Sequence, residues 1–137
     1  MKFRPALAAA LLAAGAASAQ NFPSKPIRMV SPYAAGGGSD ILARALGQKL
    51  YEAWGQPVVV DNRPGAAGSV AAETVARAAP DGYTLFVTPS AVLTINPHLY
   101  SKLRYDTFRD LTPVTMASNS PYLLVLHPSI PATNVRD

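Results

Sequence analysis

The stretch SPYAAGGGSDILARALGQKL, Ser31 to Leu50, joins a short apolar run to an amphipathic pattern through three consecutive glycines. The residues just before it, IRMVS from Ile27 to Ser31, lie between two prolines, which is typical of a short buried strand. Apolar residues then recur at helical spacing as far as Trp54, and Gly55 follows as a helix stop. The stretch therefore predicts a strand, a glycine-rich turn and a helix that begins at Asp40.

The same order of elements recurs downstream. Pro57 to Asp61 predicts a second buried strand, and RPGAAGS, Arg63 to Ser69, predicts a second glycine-rich turn. An alanine-rich helix is predicted over Val70 to Ala79, ended by Pro80, and a third strand over Tyr83 to Thr88. Strands that alternate with helices predict an α/β fold with right-handed crossovers, a mainly parallel sheet and helices on both faces.

The pattern loosens after the third strand. A short helix or turn is expected near Asn96 and Pro97, followed by an irregular, charged connection. Two further apolar runs predict strands, Leu111 to Ala117 and Tyr122 to Leu126.

Residues 1–19 are predicted to be a secretory leader. Lys2 and Arg4 precede an Ala- and Leu-rich run, and Ala17, Ser18 and Ala19 form the small-x-small pattern of a signal peptidase site. The apolar run is shorter than the roughly 20 residues that a membrane helix needs. We therefore expect cleavage after Ala19 and a soluble periplasmic protein that is not itself embedded in the membrane.

Composition argues against several classes of function. The chain has no cysteine, so neither a disulfide framework nor a cysteine nucleophile is expected. Its formal net charge is +4, and the basic residues are scattered singly, which argues against nucleic acid as a partner. His98 and His127 are the only histidines, both beside a proline, so we predict no catalytic residue, no metal site and no cofactor.

The glycine triplet has the chemistry of an anion site. The first amides of a helix lack intrahelical acceptors, and the helix dipole favours negative charge there. Gly38 is followed directly by Ser39 and Asp40, without the lysine of a phosphate-binding loop, and the glycine spacing does not fit a dinucleotide fingerprint. A small anion such as a carboxylate stays as the candidate, held by amides of Gly36, Gly37, Gly38 and Ser39 and by the Ser39 hydroxyl.

Four residues in or near this turn have more than one interpretation. Asp40 and Ser39 can cap their own helix, with no ligand involved. Arg63 can bind a ligand carboxylate or form a salt bridge within the domain. Tyr33 can line a pocket or pack on the loop.

Several segments together resemble one family of proteins. These are the leader, PSKPIRMVSPYAAGGGSDILARALGQKL, WGQPVVVDNRPGAAGS, AAPDGYTLFVTPS and INPHLY. The combination resembles the extracytoplasmic substrate-binding receptors of the tripartite tricarboxylate transporters, often called Bug receptors, and the likeness runs from about Pro23 to the last residue.

The resemblance implies a periplasmic-binding-protein-like (type II) fold, in which two α/β domains close on a small organic anion. It implies that the chain is not an enzyme, binds a small carboxylate as a monomer and delivers it to the integral membrane subunits of the transporter. Carried over by position, the ligand-binding residues are Tyr33, Ala35, Gly36, Gly37, Gly38, Ser39, Asp40, Thr88, Pro89 and Ser90, with Arg63, Gly65 and Gly68 as further candidates.

Family members look more than twice as long as this chain. The resemblance therefore implies a partial first domain over residues 20–121, the start of a crossover over residues 122–137, and a second domain that is largely missing, as in a truncated receptor. Two other interpretations stay open, a fragment of a phosphate- or nucleotide-binding α/β enzyme and a small stand-alone interaction module.

Overall fold

The computed structural model describes residues 22–121, 123–131 and 134–136, so the predicted leader and its cleavage site lie outside the described residues. The described part contains three strands, four helices and one 3₁₀ turn. The strands are β1 (Ile27–Ser31), β2 (Val58–Asn62) and β3 (Thr84–Phe86). The helices are α1 (Gly38–Trp54), α2 (Ser69–Ala76), α3 (Ser90–Thr94) and α4 (Asn96–Leu99), and the 3₁₀ turn, Ala66–Gly68, leads directly into α2.

The three strands form one parallel sheet in the order β2-β1-β3. Met29 in the central strand stands opposite Val60 on one side and Leu85 on the other. Ile27, Met29 and Val30 are almost fully buried, as expected for a short apolar strand in the middle of a sheet. The prediction of a mainly parallel sheet is confirmed.

The helices cover opposite faces of the sheet. The chain moves from β1 through α1 to one neighbour and from β2 through α2 to the other, and right-handed crossovers in opposite directions place their helices on opposite faces. Gly47 of α1 packs on Val58, whereas α2 packs on the face that carries Phe86.

A second apolar cluster closes the α2 side. Ala72, Val92 and Tyr105 are buried together, with Phe86 and Leu111 packed against them. The Tyr105 hydroxyl donates a hydrogen bond to the carbonyl of Val92 at 2.6 Å, so this buried hydroxyl is satisfied while its ring fills the core. The segment that carries Val92 and Tyr105 is thereby packed against α2.

The predicted element boundaries need small corrections. Helix α1 begins at Gly38 rather than Asp40, and it ends as predicted, where Gly55 adopts φ +69° and its amide donates to the Tyr51 carbonyl at 2.8 Å. Helix α2 ends at Ala76, short of the predicted Ala79, because Arg77 already closes the last turn. Strand β3 is confined to Thr84–Phe86.

The two later strand predictions were wrong for the part of the chain that the structure describes. Residues 111–117 and 123–126 form no strand, and Tyr122 lies outside the described residues. Val114 and Leu123 are each 83% exposed. A strand needs a neighbour for its backbone hydrogen bonds, and the described sheet ends at β3, so apolar composition alone does not produce one.

Candidate functional site

The sheet order determines where a ligand site is expected. In this parallel sheet of order β2-β1-β3, the connections after β1 and β3 leave in opposite directions, which makes the gap between these two strands a topological switch point. Open α/β folds bind ligands at such a point, beyond the carboxyl ends of the strands. The loop after β1 covers residues 32–37 and the loop after β3 covers residues 87–89. The amide of Val87 donates to the Val30 carbonyl at 3.0 Å, which holds the start of the second loop beside the first.

The glycine loop after β1 is open to solvent. Tyr33, Ala35, Gly36 and Gly38 are exposed, and Gly37 is half-buried. Gly36 adopts φ +84°, a conformation that a residue with a side chain rarely takes, so the turn requires glycine there. The backbone then enters α1 with Gly37 as the residue before the helix and no side-chain cap on it.

Two amides at the start of α1 have no acceptor among the described residues. The Gly36 amide donates to Asp40 Oδ2 at 2.9 Å and the Gly37 amide to the Ala34 carbonyl at 3.1 Å. The Asp40 amide returns to the Gly37 carbonyl. This leaves the amides of Gly38 and Ser39, so the predicted cradle of four amides is reduced to two. Ser39 lies inside the helix and is not its N-cap, so self-capping is limited to the hydrogen bond between Asp40 and the Gly36 amide.

The loop after β3 and the start of α3 carry two hydroxyl groups, those of Thr88 and Ser90. Thr88 and Pro89 are half-buried, and Ser90 is exposed where α3 begins. Thr88 Oγ1 makes one long hydrogen bond, 3.2 Å, to the Pro89 carbonyl, and no side chain caps α3. The Ser90 hydroxyl therefore keeps its hydrogen for a ligand, whereas Thr88 would have to release the Pro89 carbonyl before it could donate to a carboxylate.

Asp40 is buried beneath the glycine loop. Its side chain is 3% exposed, and Oδ2 accepts hydrogen bonds from the Gly36 amide and from Arg44 Nε, each at 2.9 Å. The Arg44 guanidinium and the Gly36 amide lower the pKa of Asp40 to about 2. Direct contact between Asp40 and a ligand stays a prediction, and the burial of the side chain argues against it.

The second glycine-rich turn is used for packing. Gly68 is buried with φ +88°, and a Cβ there would approach Val92 Cγ2 to 2.8 Å. A Cβ on Gly65 would meet the Val70 side chain at 3.2 Å. This turn follows the edge strand β2, and the close contacts at Gly65 and Gly68 explain both glycines by packing, without a ligand.

Arg63 takes part in a salt bridge within the domain. Its Nε lies 3.0 Å from Asp61 Oδ1, and Arg28 Nε donates to Asp61 Oδ2 at 2.9 Å. The hydrogen bond to Arg28, helped by Arg63, lowers the pKa of Asp61 despite the opposing effect of burial. Of the two interpretations of Arg63, the geometry therefore favours the intradomain ion pair.

Two asparagines with roles in these loops were not predicted as site residues. Asn62 Nδ2 donates to the Tyr33 carbonyl at 2.9 Å, and Asn96 Nδ2 donates to the Ala67 carbonyl at 2.9 Å. Asn62 directly follows the predicted strand Pro57 to Asp61 and is the last residue of β2 in the structure, where a polar side chain indicates a contact with the adjoining loop. Nothing in the sequence near Asn96 indicates its partner, 29 residues away.

The described residues contain no group of three or more His, Cys, Asp or Glu side chains that could hold a metal ion. His127 Nδ1 lies 2.8 Å from Ser129 Oγ, a local contact in an exposed turn. No helix in the described ranges has the length and apolar character needed to cross a membrane.

Two surface cavities lie away from both loops. One of about 420 Å³ lies between α1 and β2 and is lined by Tyr51 and Val58, among others. The other, about 260 Å³, is lined by residues of the 97–108 segment. The glycine loop thus forms an open surface, consistent with one wall of a cleft.

Comparison with known proteins identifies the family. The family model for the tripartite tricarboxylate transporter family receptor matches residues 42–137. A UPF0065 protein of Bordetella pertussis is 40% identical over 136 residues, which are 98% of this chain and 41% of the relative. Protein BugT of the same organism is 40% identical over 114 residues, covering 82% of this chain and 35% of the relative.

Solved structures give the same result for the fold. A periplasmic transporter is 44% identical with a TM-score of 0.66, over 69% of this chain and 32% of that chain. An R. palustris protein with adipate is 37% identical with a TM-score of 0.66, over 69% of this chain and 31% of that chain. MatC from Rhodopseudomonas palustris with bound malate is 40% identical with a TM-score of 0.64, over 68% of this chain and 32% of that chain.

The predicted fold class is thereby confirmed, since the described α/β domain matches part of several periplasmic binding proteins. The chain spans 41% of the length of the first relative and 32% of the first solved structure. Because the family model covers most of its residues, the chain belongs to the tripartite tricarboxylate transporter receptor family.

Proposed function

We propose that this chain supplies one wall of the binding site of an extracytoplasmic receptor for a small carboxylate. The observation that carries the proposal is the pair of free amides, Gly38 and Ser39, at the switch point between β1 and β3. They begin a helix of 17 residues, whose dipole favours an anion at that end.

The ligands of similar proteins support the same class of ligand. Two of the solved structures described above hold adipate and malate, both small dicarboxylates. A carboxylate can accept hydrogen bonds from two adjacent amides. In this proposal the hydroxyls of Thr88 and Ser90 serve the remaining ligand oxygens, whereas Ser39, which is 8% exposed, contributes its amide. In this proposal Tyr33, Ala35, Gly36, Gly37 and Pro89 shape the wall.

The proposed mechanism is capture and delivery without chemistry, so the protein is not an enzyme. Residues 20–121 form part of a first domain, and residues 122–137 begin a crossover towards a second domain that completes the cleft in the whole receptor. Closure of the two domains buries the ligand, and the closed receptor presents it to the membrane subunits of the transporter. The leader directs the protein to the periplasm and is removed after Ala19.

Calorimetric titration of the protein secreted by its source tests this function. L-malate and adipate serve as probes, malamide and adipamide as uncharged controls of the same shape, and inorganic phosphate and ATP as probes for the enzyme alternative. We expect saturable binding of a carboxylate and none of the diamides. Binding of phosphate or ATP without any carboxylate, or binding of no probe, would contradict the proposal.

A further inference from the structure

We infer that Asp40 is a positioning residue, whose carboxylate holds the glycine loop from inside and directs the Gly38 and Ser39 amides towards the ligand. This inference rests on the proposed carboxylate site, and it gives Asp40 a role other than contact with the ligand. Asp40 acts through the backbone at Gly36, which its side chain binds directly.

The contacts of Asp40 are all directed into the protein. Oδ2 binds the Gly36 amide and Arg44 Nε, both at 2.9 Å, and the side chain is 3% exposed. Oδ1 is buried as well and has no partner among the described residues. A ligand in the open cleft cannot reach a carboxylate in this position without displacing the loop.

Asn62 holds the other end of the same loop. Its Nδ2 donates to the Tyr33 carbonyl at 2.9 Å. The loop is therefore attached at Tyr33 and at Gly36, on either side of Ala34 and Ala35. Both attachments come from beneath, on the α1 side of the sheet, because Asn62 and α1 share that face.

Fixing Gly36 has a direct consequence for the next amides. With φ +84°, the orientation of the Gly36 peptide sets the path of the chain into Gly37 and the start of α1. The hydrogen bond from an amide to an ionised carboxylate is among the stronger kinds in proteins. It holds one geometry of the turn and removes the entropic cost of ordering the loop when a ligand binds.

Arg44 keeps this arrangement compatible with an anionic ligand. An ionised carboxylate in the first helical turn would repel a second carboxylate near the same amides. Arg44 forms an ion pair with Asp40 one turn later on the same helix, so the pair is neutral overall. The helix N-terminus thus keeps its preference for negative charge.

The test measures the loop and the ligand separately. Exchange of the Gly36 amide is followed by NMR without ligand, and affinity for L-malate and adipate is measured by calorimetry on the same protein. The variants are Asp40→Ala, Asp40→Asn and Asn62→Ala. The control is Ala72→Gly, which lowers stability in the core of α2 without touching the loop.

In Asp40→Ala we expect Gly36 exchange to be about tenfold faster and carboxylate affinity to be about tenfold weaker, because a charge-assisted hydrogen bond is lost. Asp40→Asn keeps an acceptor of the same shape and gives intermediate values. Ala72→Gly lowers Tm but leaves the affinity unchanged. If Asp40→Ala does not fold, Asp40→Asn and Asn62→Ala decide by the same readouts.

Three outcomes separate this inference from the proposed function. Unchanged Gly36 exchange in the Asp40 variants overturns the hydrogen bond as the element that orders the loop. Faster exchange with unchanged affinity overturns the positioning role. A wild-type protein that binds no carboxylate but shows a protected Gly36 amide overturns the proposed function, and with it the role of the loop in binding. The hydrogen bond between Gly36 and Asp40 would still be supported.

Discussion

Gly68 lies against Val92 so closely that a Cβ at position 68 would come within 2.8 Å of Val92 Cγ2. It would also come within 3.1 Å of the Pro32 Cβ, and the backbone at Gly68 has φ +88°. This one glycine therefore brings together the segments that follow β1, β2 and β3. The glycine-rich turn after β2 serves to bring these segments close, whereas the turn after β1 leaves the Gly38 and Ser39 amides without an acceptor among the described residues.

The substitution Gly68→Ala is expected to destabilise the domain strongly. Alanine in the left-handed region costs about 1–2 kcal/mol, and crowding in a packed interior costs about 1–3 kcal/mol more. Chemical denaturation of the variant measures the sum. Gly38→Ala is the matched control, since a Cβ there meets nothing within 4 Å, and a loss at position 68 no larger than the control would refute the packing role.

Asn96 is expected to be important for stability although it does not belong to the glycine loop. It is 5% exposed, and its amide holds the Ala67 carbonyl in a turn where Ala66 and Ala67 have φ of 45° and 51°. Asn96→Ala leaves a carbonyl without its donor, which costs about 1–3 kcal/mol if the group stays buried.

Thr94→Ala provides the comparison for Asn96. The Thr94 hydroxyl donates to the Ser90 carbonyl at an exposed position, so its loss is expected to change stability by less than about 0.5 kcal/mol. Equal effects of the two substitutions in urea titrations would show that the Asn96 contact adds no stability.

Stability is expected to fall in acid. The hydrogen bonds to Arg44 and Gly36 lower the pKa of Asp40 to about 2, and those to Arg28 and Arg63 lower the pKa of Asp61. Because both folded-state pKa values lie below those of the unfolded chain, the unfolded state binds more protons in this range, and stability rises with pH. The stabilisation by the ionised carboxylates of Asp40 and Asp61 is fully present above about pH 4 to 5 and is lost as the pH falls towards 2.

Thermal unfolding followed between pH 2 and 7 checks this sign. We expect a level Tm above pH 5 and a steep decrease below about pH 4. Asp40→Asn lacks the titrating group and is expected to show a shallower decrease. A Tm that rises on acidification would contradict the assigned ion pairs.

Local patterns predicted the elements that local forces determine. The apolar run of β1, the helical spacing of α1 and the stop at Gly55 were all recognisable, because each depends on neighbours a few residues apart. The runs at residues 111–117 and 123–126 have similar composition but form no strand in the described structure, because a strand also needs a partner at the sheet edge.

The site was predicted in outline for the same reason. Three glycines between a strand and a helix indicated free amides. That Asp40 binds one of these amides, that of Gly36, depends on the direction of its side chain within the first turn, which the sequence does not give. The contact of Asn62 with Tyr33 and that of Asn96 with Ala67 each join residues 29 positions apart. Such contacts follow from the packing of the loops and have no signature in a single sequence.

The most direct test of the proposed site is the affinity of the secreted protein for L-malate and adipate in Gly38→Asp, beside Gly38→Ala. A side chain at position 38 enters open space, and an acidic residue in the first turn of a helix is favourable by about 0.3–1 kcal/mol, so both variants should fold. The new carboxylate occupies the Gly38 and Ser39 amides and repels the ligand. We predict that Gly38→Asp lowers carboxylate affinity at least about tenfold, and by more than Gly38→Ala does. Unchanged affinity in Gly38→Asp would contradict the assignment of these amides to the ligand.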